Sequence, residues 1–150
     1  MADVAFYHLT RSHADDALPP LLSKTLAAEK RALVCCVKEK FSPISTAIWS
    51  RQPESWLPHG VTGTDDDPAL CPIWLTDRAD DNANTAGFLF FLDGLAPLEL
   101  PQAERVFILF DGTDEEAVSA AREQWKAYDS SGHELSYWQQ DETGKWSRAR

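Results

Sequence analysis

Ala32 to Val37 reads ALVCCV, a continuous apolar run of strand length. Such a run is typical of a strand that is covered on both faces of a sheet. Three more runs have this character: CPIWLT at Cys71–Thr76, GFLFFL at Gly87–Leu92 and VFILF at Val106–Phe110. The stretch DVAFYHL at Asp3–Leu9 is rich in aromatic and branched residues and also predicts a strand.

Helical segments separate these strands. Prolines in a first turn, followed by leucines at helical spacing, predict a helix from about Pro19 to Lys30. Ser42 as a cap and Pro43 at the first position predict a second helix that runs to about Arg51. The clearest helix spans Asp114–Asp129. The remaining segments, His133–Gln139 and Lys145–Arg148, predict a closing strand or hairpin around Gly144.

The order of these elements predicts the fold class. Strands that alternate with helices, and that are mostly apolar throughout, indicate an α/β layered fold with a largely parallel central sheet flanked by helices. The chain has 150 residues and contains no repeat, low-complexity segment or long linker. We therefore expect residues 1–150 to form a single domain, with a proline- and glycine-rich loop from Arg51 to Ala69.

Charge and composition exclude several classes of function. The net charge is −10, and residues 60–116 hold 13 acidic and two basic residues. This balance opposes tight binding to bare DNA or RNA, which depends on neutralising phosphates. No apolar run is long enough to span a bilayer, and the N-terminus lacks the pattern of a secretory signal. Cys35, Cys36 and Cys71 form no CxxC pair, which fits a reducing cytoplasm.

Motifs for cofactors and catalysis are missing from the sequence. The turn after the first strand, TRSHADDALPP, has no glycine, and neither GxGxxG nor GxxxxGK[ST] occurs, so we expect no nucleotide cofactor. The histidines show no HxH or HxxxH spacing, and no metal site is expected. Asp93 and Asp111 each follow a strand and precede glycine. These residues either form the turns that follow the strands, or they are catalytic carboxylates at the strand ends of a small α/β hydrolase or transferase.

An aromatic segment is the first candidate binding surface. Trp49, Trp56, Leu57 and Pro58 lie in a stretch that is otherwise typical of a surface loop. Aromatic residues held rigidly at a surface are frequent anchors of protein interfaces. Two alternatives remain: the rings complete the core over the second helix, or the tryptophans stack single-stranded bases, which the acidic charge opposes.

The last helix carries the second candidate surface. Val118 and Trp125 lie at the edge of its apolar stripe, beside Arg122 and Lys126. An apolar ledge next to a guanidinium suits a peptide that ends in a hydrophobic side chain and a carboxylate. The alternative is a solvated edge on which Arg122 pairs with a neighbouring acid. The predicted core stripe of this helix consists of Ala117, Ala121 and Tyr128.

Two segments carry a family resemblance. WSRQPESWLPHG at Trp49–Gly60 and AREQWKAYDSSG at Ala121–Gly132 together resemble the chi subunit of bacterial DNA polymerase III, an accessory protein of the clamp-loader complex. The opening DVAFYHLT, the ALVCCV strand and the order of elements also match, so the resemblance covers nearly the whole chain. It implies a fold similar to nucleotide-binding domains, without a phosphate loop and without bound nucleotide.

The resemblance also implies a partner for the last helix. Chi-like proteins hold the C-terminal tail of single-stranded DNA-binding protein through an arginine, an aromatic residue and lysines. The matching positions are Arg122, Trp125 and Lys126, whereas a further family lysine is replaced here by Val118. The resemblance therefore implies a non-catalytic, cytoplasmic adaptor in DNA replication that reaches DNA only indirectly.

The aromatic segment has an implied partner of its own. In the family, the psi subunit docks on the segment that matches Trp49 and Trp56, with Leu57 and Pro58 beside them. A psi-like or equivalent clamp-loader subunit is thus the expected second partner, and no membrane is involved. The rival hypothesis is an enzyme that uses Asp93 or Asp111.

Overall fold

The computed structural model describes residues 2–10, 13–50 and 57–150. Within them the chain forms eight strands, three α-helices and two short 3₁₀ turns. The strands are β1 (Asp3–Leu9), β2 (Ala32–Cys35), β3 (His59–Val61), β4 (Ile73–Thr76), β5 (Phe88–Phe91), β6 (Arg105–Asp111), β7 (Glu134–Gln140) and β8 (Trp146–Arg148). The helices are α1 (Ala14–Ala27), α2 (Phe41–Ser50) and α3 (Glu115–Ser130), and the turns are Lys38–Lys40 and Pro68–Leu70.

All the strands join one sheet in the order β3-β4-β2-β5-β6-β1-β7-β8. Every neighbouring pair is parallel except β7 and β8, which form an antiparallel hairpin. The α/β fold with a largely parallel sheet is therefore confirmed. All four residues of β2, β4 and β5 are buried, as continuous apolar runs predict for strands covered on both faces.

Each face of the sheet carries its own core. One core packs against α1 and α2 and includes Leu18 and Ile48, while the other packs against α3 through Tyr128. Successive residues of β1 point to opposite faces, so Ala5 belongs to the first core and Phe6 to the second. This alternation brings part of the N-terminal strand beneath α3, where the candidate tail-binding residues lie.

The first helix differs from its prediction at both ends. It begins at Ala14 rather than near Pro19, so both prolines lie inside the helix. The Asp16 carboxylate accepts a hydrogen bond from the His13 backbone N–H at 3.3 Å, which helps to close the first turn earlier than the prolines indicate. The helix ends at Ala27 rather than Lys30, because Glu29 has a left-handed φ of 60°.

The predicted loop from Arg51 to Ala69 contains an edge strand that the sequence analysis missed. Strand β3 pairs in parallel with β4, and a Cβ built on Gly60 would lie 2.7 Å from Cys71 Sγ and Trp74 Cζ3. Gly60 therefore allows a close approach that any side chain would block. The Asp66 carboxylate accepts a hydrogen bond from the Val61 N–H at 3.1 Å on this edge strand.

Helix α3 begins and ends within one residue of its prediction. Ala121 and Tyr128 are buried as predicted, but Ala117 is only half-buried. Gln124 is 3% exposed and lies in the same stripe, where its amide donates to the Ala96 carbonyl at 3.1 Å. A polar residue in the stripe did not indicate a core position from sequence, because the loop that accepts from its amide nitrogen is distant in the chain. No helix in the described ranges is both long and apolar enough to cross a membrane.

Candidate functional site

An open groove of about 420 Å³ lies between α3 and the neighbouring strands β1, β6 and β7. Val118, Arg122, Trp125 and Lys126 all line it. The helical spacing of these residues places them along one side of α3, at its junction with the sheet. The structure thus brings together the four helix residues that the sequence analysis singled out.

The aromatic floor of the groove holds Trp125 in place. The Trp125 ring centroid lies 5.2 Å from that of Phe6 on β1 and 6.1 Å from that of Tyr137 on β7. Trp125 is half-buried, so part of its indole packs on the floor and the rest lines the groove. Such a ring has little conformational freedom to lose when an apolar ligand docks on it.

Two cations stand on the α3 rim of the groove. Arg122 and Lys126 are both exposed. Lys126 Nζ lies 3.9 Å from a Glu123 carboxylate oxygen, an exposed pair that contributes little stability. Among the residues that the structure describes, no carboxylate forms an ion pair with Arg122. Its guanidinium is therefore available to an acidic ligand.

His8 and Tyr137 form the polar end of the floor. The His8 Nδ1 atom lies 2.5 Å from the Tyr137 hydroxyl, and the His8 ring stacks on Phe110 with centroids 5.0 Å apart. Burial lowers the pKa of His8, against smaller opposing effects of the Gly112 backbone and Asp111. Burial also raises the pKa of Tyr137, so both side chains stay neutral near pH 7.

Gly112 makes room for His8. A Cβ built at this position would overlap His8 Nε2, so no side chain fits while His8 keeps its place. Phe6, His8 and Tyr137 were not predicted as site residues. Their period-two alternation indicates which face of a strand they occupy, but not that β1 and β7 are neighbours beneath α3.

The aromatic segment forms a separate surface near α2 and β3. Trp49 is 50% exposed, and its ring centroid lies 4.6 Å from that of His59. His59 Nε2 lies 2.7 Å from Ser45 Oγ, and burial lowers the His59 pKa. These contacts hold an exposed indole in one position.

The other residues of that predicted surface differ in how far they are exposed to solvent. Leu57 is 2% exposed and belongs to the core beside α1 and α2, so its side chain does not form the surface, contrary to the prediction. Pro58 is half-buried at the start of β3. Trp56 lies outside the described residues.

The family model for "DNA polymerase III chi subunit, HolC" matches residues 1–136. The chain belongs to this family. No curated protein matches it. The resemblance stated from the sequence is thereby confirmed, and chi family membership supports a role in DNA replication as an accessory subunit of the polymerase complex. The matched residues include all of α3 and end within β7.

In this chi family member, Asp93 and Asp111 line one cleft of about 770 Å³ at the carboxyl ends of the parallel strands. Asp93 forms a 3.0 Å ion pair with Lys40 and accepts a hydrogen bond from the Val37 N–H at 3.2 Å. Asp111 accepts from the Thr113 hydroxyl and N–H at 2.6 and 2.9 Å, and these bonds lower its pKa. Both carboxylates thus stabilise the loops that follow β5 and β6.

Residues 2–10, 13–50 and 57–150 contain no group of three or more His, Cys, Asp or Glu side chains placed to hold a metal ion. Cys35 and Cys36 are buried thiols, and burial raises the pKa of each to about 12. Both thiols are therefore protonated at neutral pH, which makes them poor nucleophiles.

Proposed function

We propose that this protein is a non-catalytic adaptor of the DNA polymerase III holoenzyme. In this role it binds the C-terminal tail of single-stranded DNA-binding protein and links that protein to the clamp loader during replication. The observation that supports the proposal best is the open groove in which the Trp125 indole lies beside an exposed guanidinium that forms no ion pair with any described carboxylate. Its volume of about 420 Å³ suits a few residues of an extended peptide.

The groove offers a separate contact for each part of such a tail. Trp125 and Val118 would bury the terminal aromatic side chain, and Arg122 would bind the terminal carboxylate through two parallel N–H donors. Lys126 would attract the acidic residues that precede the terminus. One buried aromatic side chain contributes about 2 kcal/mol, and each charge-assisted hydrogen bond about 1.5–3 kcal/mol. After ordering costs, a micromolar dissociation constant is expected.

We propose the Trp49 surface as the docking site for a second protein, a psi-like or equivalent clamp-loader subunit. The support is an exposed indole held against His59, which directly follows the half-buried Pro58 in the chain. The chi resemblance adds Trp56 to this surface. The two proposed sites use different elements, α2 with β3 and α3 with β7, so both partners can bind at once. DNA is then reached only through the first partner, in the cytoplasm.

A titration tests the tail site. The probe is a synthetic peptide with several aspartates followed by a terminal phenylalanine, added to the wild-type protein and to Arg122→Ala. We expect Arg122→Ala to weaken binding at least about tenfold, the equivalent of roughly 1.4 kcal/mol. Arg78→Ala is the matched control, because Arg78 is exposed, carries the same charge and does not line the groove. Equal affinity of Arg122→Ala and wild type would discard the site.

The same titration separates the adaptor from the enzyme hypothesis. Asp111→Asn keeps an oxygen that can accept from Thr113, and it lies in the other cleft. Tail binding should therefore be unchanged in this variant. A large loss of tail affinity on Asp111→Asn would show that the groove is not an independent site.

A further inference from the structure

Part of the groove lies beyond the residues that match the chi family model. The match ends at residue 136, whereas Tyr137, Gln139, Ala149 and Arg150 also line the groove. These residues come from β7 and from the segment that follows β8. The wall that faces α3 therefore includes residues outside the matched part of the chain.

The added wall is fixed by backbone and side-chain contacts. The Tyr137 carbonyl accepts from the Ala149 N–H at 2.7 Å, and the Arg150 carbonyl oxygen accepts from Arg148 Nε at 2.7 Å. On the other face of the sheet, the Trp146 ring packs on Tyr7 with centroids 5.0 Å apart. The hairpin is thus attached to the N-terminal strand, and it holds residue 150 beside the groove.

Arg150 places a second guanidinium against the groove. Its guanidinium carbon lies 5.9 Å from the Trp125 ring centroid, within range of a cation–π contact. Burial raises the pKa of Tyr137, and the positive charges of Arg122 and Arg150 each lower it, so both guanidinium groups lie near the Tyr137 hydroxyl. Arg150 is exposed and, among the described residues, has no carboxylate within ion-pair distance.

We propose that Arg150 is a specificity-determining residue of the groove, which binds an acidic side chain of the bound tail from the wall opposite α3. This inference rests on the proposed function of the groove. Arg122 is assigned to the terminal carboxylate and Lys126 to acidic residues on the α3 side, so an acidic side chain that faces the other wall needs a cation there. Arg150 lines the groove within cation–π distance of Trp125, and there it selects tails that are acidic before their apolar terminus.

The experiment compares variants and peptides in one matrix. The proteins are wild type, Arg122→Ala, Arg150→Ala, Arg150→Glu and the control Lys145→Ala, which removes one positive charge from the same hairpin outside the groove. The peptides are the aspartate-rich tail ending in phenylalanine, the same peptide with a terminal amide, and a peptide with asparagine at each aspartate. Affinities are measured by calorimetry, and circular dichroism verifies that every variant is folded.

We expect Arg150→Ala to weaken binding of the acidic peptide about three- to fivefold, as for an exposed charge pair. Arg150→Glu should weaken it further, and Lys145→Ala should have no effect. The effect of Arg150→Ala should persist on the amidated peptide and vanish on the asparagine peptide. Arg122→Ala should show the reverse pattern, because its contact is with the terminal carboxylate.

Several outcomes overturn the inference. If Arg122→Ala loses affinity but Arg150→Ala and Arg150→Glu do not, Arg150 has no role and the proposed function of the groove stands. If Arg150→Ala binds more tightly, Arg150 covers Trp125 and competes with the tail. If wild type binds none of the peptides, the proposed function fails, and the role of Arg150 fails with it.

Discussion

Replacing Trp125 with alanine should separate tail binding from folding. The ring rests on Phe6 and Tyr137 at centroid distances of 5.2 and 6.1 Å, and it is half-buried. A fully buried aromatic residue costs about 3–5 kcal/mol when truncated to alanine, so half of that, about 2 kcal/mol, is expected here. The protein should therefore remain folded while it loses the apolar contact for the tail.

The loss of binding follows from the same contact. Removing the surface that buries one aromatic side chain costs about 2 kcal/mol, which corresponds to about 30-fold in the dissociation constant. Urea unfolding measures the stability, and calorimetric titration with the aspartate-rich peptide measures the affinity.

Tyr128→Phe is the matched control, one turn further along α3. Tyr128 is fully buried, and its hydroxyl donates to the Pro97 carbonyl at 2.5 Å, away from the groove. Loss of this hydroxyl should lower the free energy of unfolding by about 1 kcal/mol and leave the affinity for the peptide unchanged. A folded Trp125→Ala protein that binds the peptide as tightly as wild type would refute the proposed role of the indole.

Two further predictions concern pH and salt. Burial lowers the folded-state pKa of His8 below its ordinary value, so folding favours the neutral imidazole. The free energy of unfolding should therefore fall as the pH drops below about 6.5 towards that lowered pKa. Urea unfolding of His8→Gln between about pH 7.5 and 5 should show a weaker dependence on pH than that of wild type. The same pH dependence in both proteins would contradict this prediction. Tail affinity should fall less than about tenfold between roughly 50 and 300 mM NaCl, because the chain is acidic overall and only the few cations at the groove attract the tail. A larger fall, measured by calorimetry, would show that long-range electrostatic attraction drives tail binding.

Much of the fold could be predicted from hydrophobic patterns. The bounds of β1 agree with its prediction, because branched and aromatic residues occupy both of its faces and polar residues follow at once. The start of α1 could not be predicted from the prolines, which usually stand in a first turn but here lie inside the helix. Strand β3 has only three residues, one of them glycine, and so carries almost no periodic signal.

The candidate site was predictable only on its α3 side. Val118, Arg122, Trp125 and Lys126 share one helix, so their relative positions follow from helical geometry. The opposite wall depends on the parallel pairing of β1 with β7, which joins Phe6 to Tyr137 across most of the chain. No local pattern encodes that pairing. The family match does not cover the wall either, because it ends at residue 136.

The pairing of the first strand with the last hairpin has a consequence for biosynthesis. His8 and Tyr137 are 129 positions apart, and Arg150 follows Tyr137 by a whole hairpin in the same groove. A nascent polypeptide on the ribosome can build much of the sheet before β7 has emerged, but it has no second wall for the groove. Under the proposed function, a nascent chain that lacks β7 would therefore offer a tail only the α3 side of the groove.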